Sequence, residues 1–400
     1  MRNNFSVVAL RFISLGALYL THVLLSNKLG TENYGYFNTF LAFSTVLSVM
    51  VSFGMNEYLL RINSEKKKQH ELRKVYVIMI VGVIFYSFFL SILITELLSP
   101  YFFLIVFLSF SLALLIIQGA VFQSMQMPLR SIFFQFLLPL IFTLAMLIID
   151  NRSTIDLNDF LMFYLIFHIL TNVIALILIH KESMRKEVTE YKVILRDSLN
   201  YFLVNTLTTL QSWIDILLIS VLLSAIDVAE YSVASRITLL LSMILIALNA
   251  VYKHHIAENF KSNKEALKEK LADMSKSCIF FSIPLAFILL LLQPILVGMF
   301  GIEPSKIYII YAILLSGNLF NVIMGPLGPI LLMSNNEDAL LKINIKTLVI
   351  RLIFTIIMAY YLGVIGVALA SLISLVYWNV SASLIVRRLI GYYPVYGLIK

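Results

Sequence analysis

The feature that most constrains this chain is a series of twelve apolar runs separated by short polar segments. A helix needs about 20 apolar residues to cross the hydrocarbon core of a bilayer, and each run is close to that length. The chain is 60% hydrophobic and 13% charged, and no soluble core of 400 residues could bury so much apolar surface. The runs therefore predict an all-α integral membrane protein with twelve transmembrane helices in two six-helix bundles. The predicted helices are residues 6–26, 36–60, 75–97, 101–123, 131–149, 159–180, 199–223, 231–252, 277–299, 307–333, 343–362 and 365–386.

The middle of the chain carries one of its longer polar connections, at residues 181–197. This segment divides the predicted helices into an N-terminal half, 1–180, and a C-terminal half, 198–400. A shift of 195 residues places Glu32 over Asp227 and Tyr36 over Tyr231, which is a weak internal repeat. Duplicated halves are typical of transporters, which bind their substrate near the middle of the membrane.

The net charge of +8 is distributed by loop. Basic residues collect after the second, sixth and eighth predicted helices, whereas the opposite side carries only Lys28, Arg152 and Lys306. By the positive-inside rule, both termini are predicted to be cytoplasmic. This pattern explains the basic balance without a nucleic-acid partner. The single cysteine, Cys278, excludes an internal disulfide and a cysteine-cluster metal site.

Residues 213–238 form two apolar arms around a polar break at 224–230, and each arm carries one ionisable residue. Asp215 and Arg236 are almost equidistant from the centre of that break. If the arms are antiparallel helices, each charge lies roughly 9 to 14 Å inside its arm. An isolated charge at such depth costs at least about 2.5 to 3.5 kcal/mol, so each needs a partner. The sequence favours an ion pair between the two; the alternative is that Asp215 binds and releases H⁺ or Na⁺ as a coupling site.

Three arginines fall within the predicted spans: Arg11, Arg236 and Arg351. A guanidinium group suits phosphate because its planar fork donates two parallel hydrogen bonds. We therefore interpret the three as candidates for binding an anionic substrate. The alternative is structural, with Arg11 extending to the interface and Arg236 neutralised by Asp215.

Sequence motifs for enzymatic chemistry are missing. The chain has no Walker-type phosphate-binding motif, so we expect neither an intrinsic ATPase nor a bound cofactor. No His, Asp or Glu spacing is typical of a catalytic metal site, and the external loops are too short for a catalytic domain. The chain is therefore expected not to be an enzyme.

Several segments resemble the oligosaccharide flippases of the polysaccharide transporter family, the Wzx type, within the superfamily that includes the MATE exporters. The segments lie at the ends of predicted helices or, for residues 214–219, within the predicted seventh helix, and together they fall in both halves. The matching segments are LGTENYGYF at 29–37, FGMNEYLLR at 53–61, IDILLI at 214–219, VAEYSVASR at 228–236 and YLGVIGVALAS at 361–371. Glu230 stands where the family usually has glycine.

The resemblance implies a MATE-like fold and a flippase that moves a polyprenyl-pyrophosphate-linked oligosaccharide to the outer leaflet, for O-antigen, lipopolysaccharide or other surface polysaccharide synthesis. The implied location is the bacterial inner membrane. The expected partners are the lipid-linked oligosaccharide, membrane lipids, H⁺ or Na⁺ as coupling ion, and polysaccharide polymerase or export machinery. Two alternatives remain open at this point: a MATE-like exporter of small cations, whose cavity should be acidic, and a membrane polysaccharide polymerase or glycosyltransferase.

Overall fold

The computed structural model describes residues 2–66, 69–70, 72–93, 101–150, 154–182, 186–187, 191–262, 264–334 and 336–391. Almost all of these are helical, as expected of a chain that must satisfy its backbone hydrogen bonds within a bilayer. The helices of the first part of the chain are α1 (Arg2–Ser52), α2 (Met55–Lys66), α3 (Leu72–Leu93), α4 (Phe102–Ser124), α5 (Pro128–Ile132), α6 (Leu138–Ile149) and α7 (Leu157–Glu182). Those that follow are α8 (Tyr191–Leu222), α9 (Ala225–Ser262), α10 (Lys264–Gly298), α11 (Pro304–Met324), α12 (Leu327–Met333) and α13 (Glu337–Ile390).

Two of the long helices are helical hairpins whose turn is a single glycine. Gly30 interrupts α1 with φ 75° and ψ 165°, and Gly363 interrupts α13 with φ 57° and ψ −140°. A positive φ combined with an extended ψ is accessible essentially to glycine alone. Each glycine therefore ends one membrane crossing and starts the next, and the predicted helix boundary at Gly363 is confirmed.

Within the described residues, nine helical stretches are long and apolar enough to cross a membrane. Two of them, Ile13–Ser52 and Asp338–Ile390, contain the interrupting glycines and so account for two crossings each. The shorter apolar stretch Val75–Tyr86 in α3 completes twelve. The prediction of an all-α protein with twelve transmembrane helices is confirmed.

Three predicted spans are less regular than their hydropathy suggests. The second is broken between α1 and α2, where Phe53 and Gly54 both have positive φ. The tenth is broken between α11 and α12, where Gly325 has φ 76° and precedes Pro326, as the Gly-Pro sequence predicts. The fifth passes through one π-helical turn, Phe133–Leu137, between α5 and α6.

The chain divides into two compact units, residues 1–213 and 214–400. The first unit contains a pair of very short parallel strands, Gln69–His70 and Lys186–Glu187. Residues 183–185 and 188–190 of the predicted linker 181–197 lie outside the described part of the chain. The domain boundaries at 180 and 198 stay a prediction.

In the first unit, α4 lies centrally against α1, α2 and α7, and residues such as Met55, Ile117 and Ala175 form the buried core. The break at Gly54 permits a close approach to α8. A Cβ atom on Gly54 would lie 2.4 Å from the backbone nitrogen of Phe202 and 2.6 Å from the carbonyl oxygen of Ser198. The rings of Phe53 and Phe202 stack beside it with centroids 4.6 Å apart.

In the second unit, α11 packs against α9, α10 and α13, and a buried core includes Leu271 of α10, Leu327 of α12 and Val386 of α13. Polar side chains also join these helices. Asn318 of α11 donates a hydrogen bond to Thr238 and accepts one from Ser242, both on α9, at 3.2 Å each. Such hydrogen bonds between helices are one source of stability where lipid supplies little hydrophobic driving force.

Candidate functional site

The turn between α8 and α9 sets the geometry of the candidate site. The Ser224 hydroxyl accepts a hydrogen bond from the backbone N–H of Asp227 at 3.2 Å, and the Asp227 carboxylate accepts one from the backbone N–H of Ser224 at 3.0 Å. This reciprocal arrangement is a capping box, which fixes the start of a helix. Helix α9 therefore begins at Ala225, and the polar residues at 224–230 belong mostly to its first turns.

The early start of α9 determines which residue faces Asp215. With the turn at residues 223–224, Asp215 and Tyr231 lie at nearly equal depth, each about 11 to 13 Å from the turn. Both are buried, at 4% and 3% exposure. The Tyr231 hydroxyl donates a hydrogen bond to Oδ2 of Asp215.

The ion pair predicted between Asp215 and Arg236 is wrong, because the carboxylate pairs with Arg351. Arg236 lies five residues beyond Tyr231 on α9. At 100° per residue that is about 140° around the helix from the side that faces Asp215, and about 7 Å further from the turn. Placing the turn too late in the sequence made Arg236 seem equidistant.

Arg351, on the first arm of α13, holds both oxygens of Asp215. Its Nε donates to Oδ1 at 2.8 Å, and its Nη2 donates to Oδ2 at 2.5 Å. The two side chains are 17% and 6% exposed. This bidentate arrangement is the strongest form of a guanidinium–carboxylate contact.

The second arm of α13 contributes Ser371, whose hydroxyl accepts a hydrogen bond from Nη2 of Arg351 at 2.6 Å. The turn at Gly363 returns the chain so that residues 351 and 371 meet. The cluster of Asp215, Tyr231, Arg351 and Ser371 thus joins α8, α9 and both arms of α13. We call it the arginine–aspartate cluster.

The arginine–aspartate cluster has no net charge, since one carboxylate balances one guanidinium. Removing either partner would leave a buried charge, which costs several kcal/mol. An incoming anion could replace the carboxylate as the partner of Arg351, provided that Asp215 gained a proton or another cation in exchange. A phosphate oxygen pair matches the guanidinium fork as well as a carboxylate does. The arrangement is thus chemically capable of exchanging one anionic partner for another.

Only two of the four predicted site residues meet in this cluster. Arg11 is exposed on α1 in the first unit, and Arg236 is half-buried on α9 in the second. Their assignment to a substrate stays a prediction. Tyr231 and Ser371 were not singled out, although the sequence carried a signal for Tyr231: recognising Ser224-x-x-Asp227 as a capping box gives the correct turn.

Asp215 is also not part of a metal centre in the described residues, where no group of three or more His, Cys, Asp or Glu side chains is placed to hold an ion. Its two oxygens accept hydrogen bonds from Arg351 and Tyr231. The guanidinium of Arg351 therefore already balances the charge of this carboxylate.

The chain matches one protein-family model and is similar to several solved structures. A family model described as "Polysaccharide biosynthesis protein" matches residues 1–252. No curated protein sequence matches the chain. Among solved structures, it is similar to a lipid II flippase MurJ in an inward closed conformation, with 16% identity, a TM-score of 0.78, and 99% of this chain and 91% of that chain covered.

Two structures of MATE family multidrug resistance transporters are also similar. The inward-facing one has 16% identity and a TM-score of 0.67, with 94% of both chains covered. The outward-facing one has 17% identity and a TM-score of 0.56, covering 95% of this chain and 92% of that chain. At such identities the likeness shows the fold alone, and the predicted MATE-like fold class is confirmed.

Proposed function

Because the chain belongs to the polysaccharide biosynthesis protein family, we propose that it is a flippase for a lipid-linked oligosaccharide. Its substrate is an oligosaccharide joined through pyrophosphate to a polyprenyl lipid, carried from the cytoplasmic to the outer leaflet for surface polysaccharide synthesis. The family match is the observation that carries the proposal. The chain is a multi-pass membrane protein, and we propose that it resides in a bacterial inner membrane with both termini in the cytoplasm.

Arg351 is the residue that we assign to the pyrophosphate. Its side chain is 17% exposed, and its guanidinium donates hydrogen bonds to both oxygens of the Asp215 carboxylate. A pyrophosphate entering the site would compete with Asp215 for the same fork of N–H donors. Arg236 and Arg11 are assigned as further cationic contacts for the head group.

Asp215 is the residue that we assign to ion coupling. When the pyrophosphate takes Arg351, Asp215 loses its counter-charge in a buried position. Such a carboxylate must then acquire another cation, H⁺ or Na⁺, because an unpaired buried charge costs several kcal/mol. Loading of the substrate and loading of the ion are thereby linked, and a cation gradient drives alternating access.

The proposal is tested by deleting the gene in its native host and following the lipid-linked oligosaccharide. We expect the intermediate to accumulate on the cytoplasmic face and the wild-type gene to relieve the accumulation. The Arg351→Ala variant should be present in the membrane in folded form yet fail to relieve it. Lys306→Ala is the matched control, since Lys306 is 62% exposed in the same unit and should rescue fully.

Two results would overturn this assignment. A deletion strain without accumulated lipid-linked oligosaccharide would exclude that substrate. If Arg351→Ala rescued the strain as well as wild type does, transport of the substrate would not depend on the arginine–aspartate cluster. For the coupling role, Asp215→Asn should still bind substrate but lose its dependence on the cation gradient; transport that responds to the gradient as wild type does would exclude coupling through Asp215.

A further inference from the structure

The tyrosine of the arginine–aspartate cluster has no role in the exchange as described so far. Tyr231 is 3% exposed, and its hydroxyl donates to Oδ2 of Asp215, the oxygen that also accepts from Nη2 of Arg351. Tyr231 therefore contacts the carboxylate that would lose its guanidinium partner in the exchange.

A carboxylate that already has a bidentate guanidinium does not need a further donor for its charge to be balanced. If Arg351 always stayed bound to Asp215, a phenylalanine could fill the position of Tyr231 and would bring no buried hydroxyl that needs a hydrogen-bond partner. The hydroxyl gains importance when Arg351 leaves, because Asp215 then keeps a single donor from this cluster. A hydrogen bond to an ion is worth roughly twice a neutral one, and most when no counter-ion is present.

We propose that Tyr231 is a positioning residue for the exchange, which holds the Asp215 carboxylate in place while Arg351 is bound to the pyrophosphate. This inference rests on the proposed function. Tyr231 lies on α9, whereas Arg351 lies on α13, so the hydroxyl stays with Asp215 when the guanidinium turns away. The capping box at Ser224 and Asp227 fixes α9 against α8 and keeps Tyr231 opposite Asp215.

Ser371 has the complementary position. Its hydroxyl accepts from Nη2 of Arg351 at 2.6 Å, so it contacts the departing partner rather than the one that remains. It lies on the second arm of α13, eight residues after Gly363. Tyr231 thus supports the carboxylate, and Ser371 supports the guanidinium.

The inference predicts a specific loss in Tyr231→Phe. Removing the hydroxyl weakens the exchanged state more than the resting state, because only the exchanged state lacks the guanidinium. The binding of a pyrophosphate head group should therefore weaken about tenfold, the fold-change expected from one charge-assisted hydrogen bond. In transport, the apparent KM should rise by a similar factor while kcat at saturation changes little.

The experiment measures binding of a short-chain prenyl pyrophosphate to the full-length protein in detergent. All variants are measured at the same pH and sodium concentration, so that the coupling ion contributes equally to each affinity. Tyr311→Phe is the matched control, because Tyr311 is a fully buried tyrosine of the same unit whose hydroxyl donates to the carbonyl of Leu289. It should lose a hydrogen bond of similar burial without changing the affinity.

The second arm of the experiment repeats Tyr231→Phe in the Asp215→Asn background. With no carboxylate to support, the loss of the hydroxyl should change affinity less than twofold. A tenfold loss that persisted in that background would show that Tyr231 acts elsewhere and would overturn the inference. Wild-type affinity in Tyr231→Phe itself would overturn it as well.

The outcome for the proposed function is read separately, from Arg351→Ala. If wild type and Arg351→Ala bind the prenyl pyrophosphate equally, the exchange does not occur, and both the proposed function of Arg351 and the role of Tyr231 fall. If binding depends on Arg351 but not on Tyr231, only the positioning role is refuted. A fall in kcat at unchanged KM would indicate loss of folded protein and would also count against it.

Discussion

Breaking the buried ion pair from one side should destabilise the second unit more than removing it altogether. Arg351→Gln removes the cation that balances the charge of the Asp215 carboxylate, whose side chain is only 6% exposed. Loss of one partner from a buried pair typically costs about 3 to 5 kcal/mol. Asp215→Asn leaves a buried guanidinium in the same way, although the 17% exposure of Arg351 allows water to reach it and should reduce the cost to about 2 to 3 kcal/mol.

The double variant, Arg351→Gln with Asp215→Asn, carries no buried charge. Two amides can hydrogen-bond to each other, so its stability should lie within about 1 kcal/mol of wild type. The coupling energy of the double-mutant cycle is then about 4 kcal/mol or more, well above the error of additivity for independent sites, which is about 0.5 kcal/mol.

The chain provides its own reporter for this measurement. Its single cysteine, Cys278, is fully buried in the same unit as the pair. Reaction of that thiol with a maleimide dye in detergent should therefore follow unfolding during a thermal ramp. The order of midpoints should be wild type and double variant highest, Asp215→Asn lower and Arg351→Gln lowest.

The refuting result is additivity. If the double variant lost as much stability as the sum of the two single variants, the carboxylate and guanidinium would not be paired in the folded protein. Equal midpoints in all four proteins would show instead that both groups are solvated, and the interior position of the cluster would be wrong.

Three further substitutions test the architecture, each followed by thermal unfolding of the purified protein on size-exclusion chromatography. Gly54→Ala should cost about 3 kcal/mol or more, because the Cβ atom meets the backbone of Phe202 at 2.4 Å and φ is +68°; unchanged stability would refute the close approach of α8. Gly363→Ala should cost about 2 kcal/mol from the φ of +57° alone, because no atom lies within 4 Å of the added Cβ atom. Gly16→Ala is the control, because its Cβ atom is equally free of neighbours but its φ is not positive. This control variant should be neutral or stabilised by up to about 1 kcal/mol. Asn318→Ala should cost about 1 to 2 kcal/mol through its lost hydrogen bonds between α9 and α11; an unchanged midpoint would show that water replaces them.

The membrane helices could be predicted from the sequence because hydrophobic run length alone determines whether a segment spans a bilayer. Two predicted crossings are confirmed even where a single glycine, Gly363, is the whole turn between them. What hydropathy does not contain is the local backbone within a span. The interruptions at Gly54 and Gly325 occur inside apolar runs that are long enough to be continuous helices.

The site was less predictable because it depends on helix register rather than on composition. Asp215 and Arg351 were recognised as costly intramembrane charges, which is a composition argument. Their pairing required knowing which helices pack together, and 136 residues separate them. Polar residues at the start of α9 suggested a long turn, whereas Ser224 and Asp227 instead form a cap within the first helical turn. An error of about three residues in the turn was enough to select Arg236 instead of Tyr231.

The central proposition is that the guanidinium of Arg351 exchanges its carboxylate for the pyrophosphate of a lipid-linked substrate. The most direct measurement is flipping of a fluorescent polyprenyl-pyrophosphate oligosaccharide in liposomes that contain the purified protein. We expect transport by wild type and by Lys306→Ala. The rate for Arg351→Ala should be at least about 100-fold lower, as expected when a charge-assisted contact worth about 3 kcal/mol is lost. Transport by folded Arg351→Ala at the wild-type rate would contradict it.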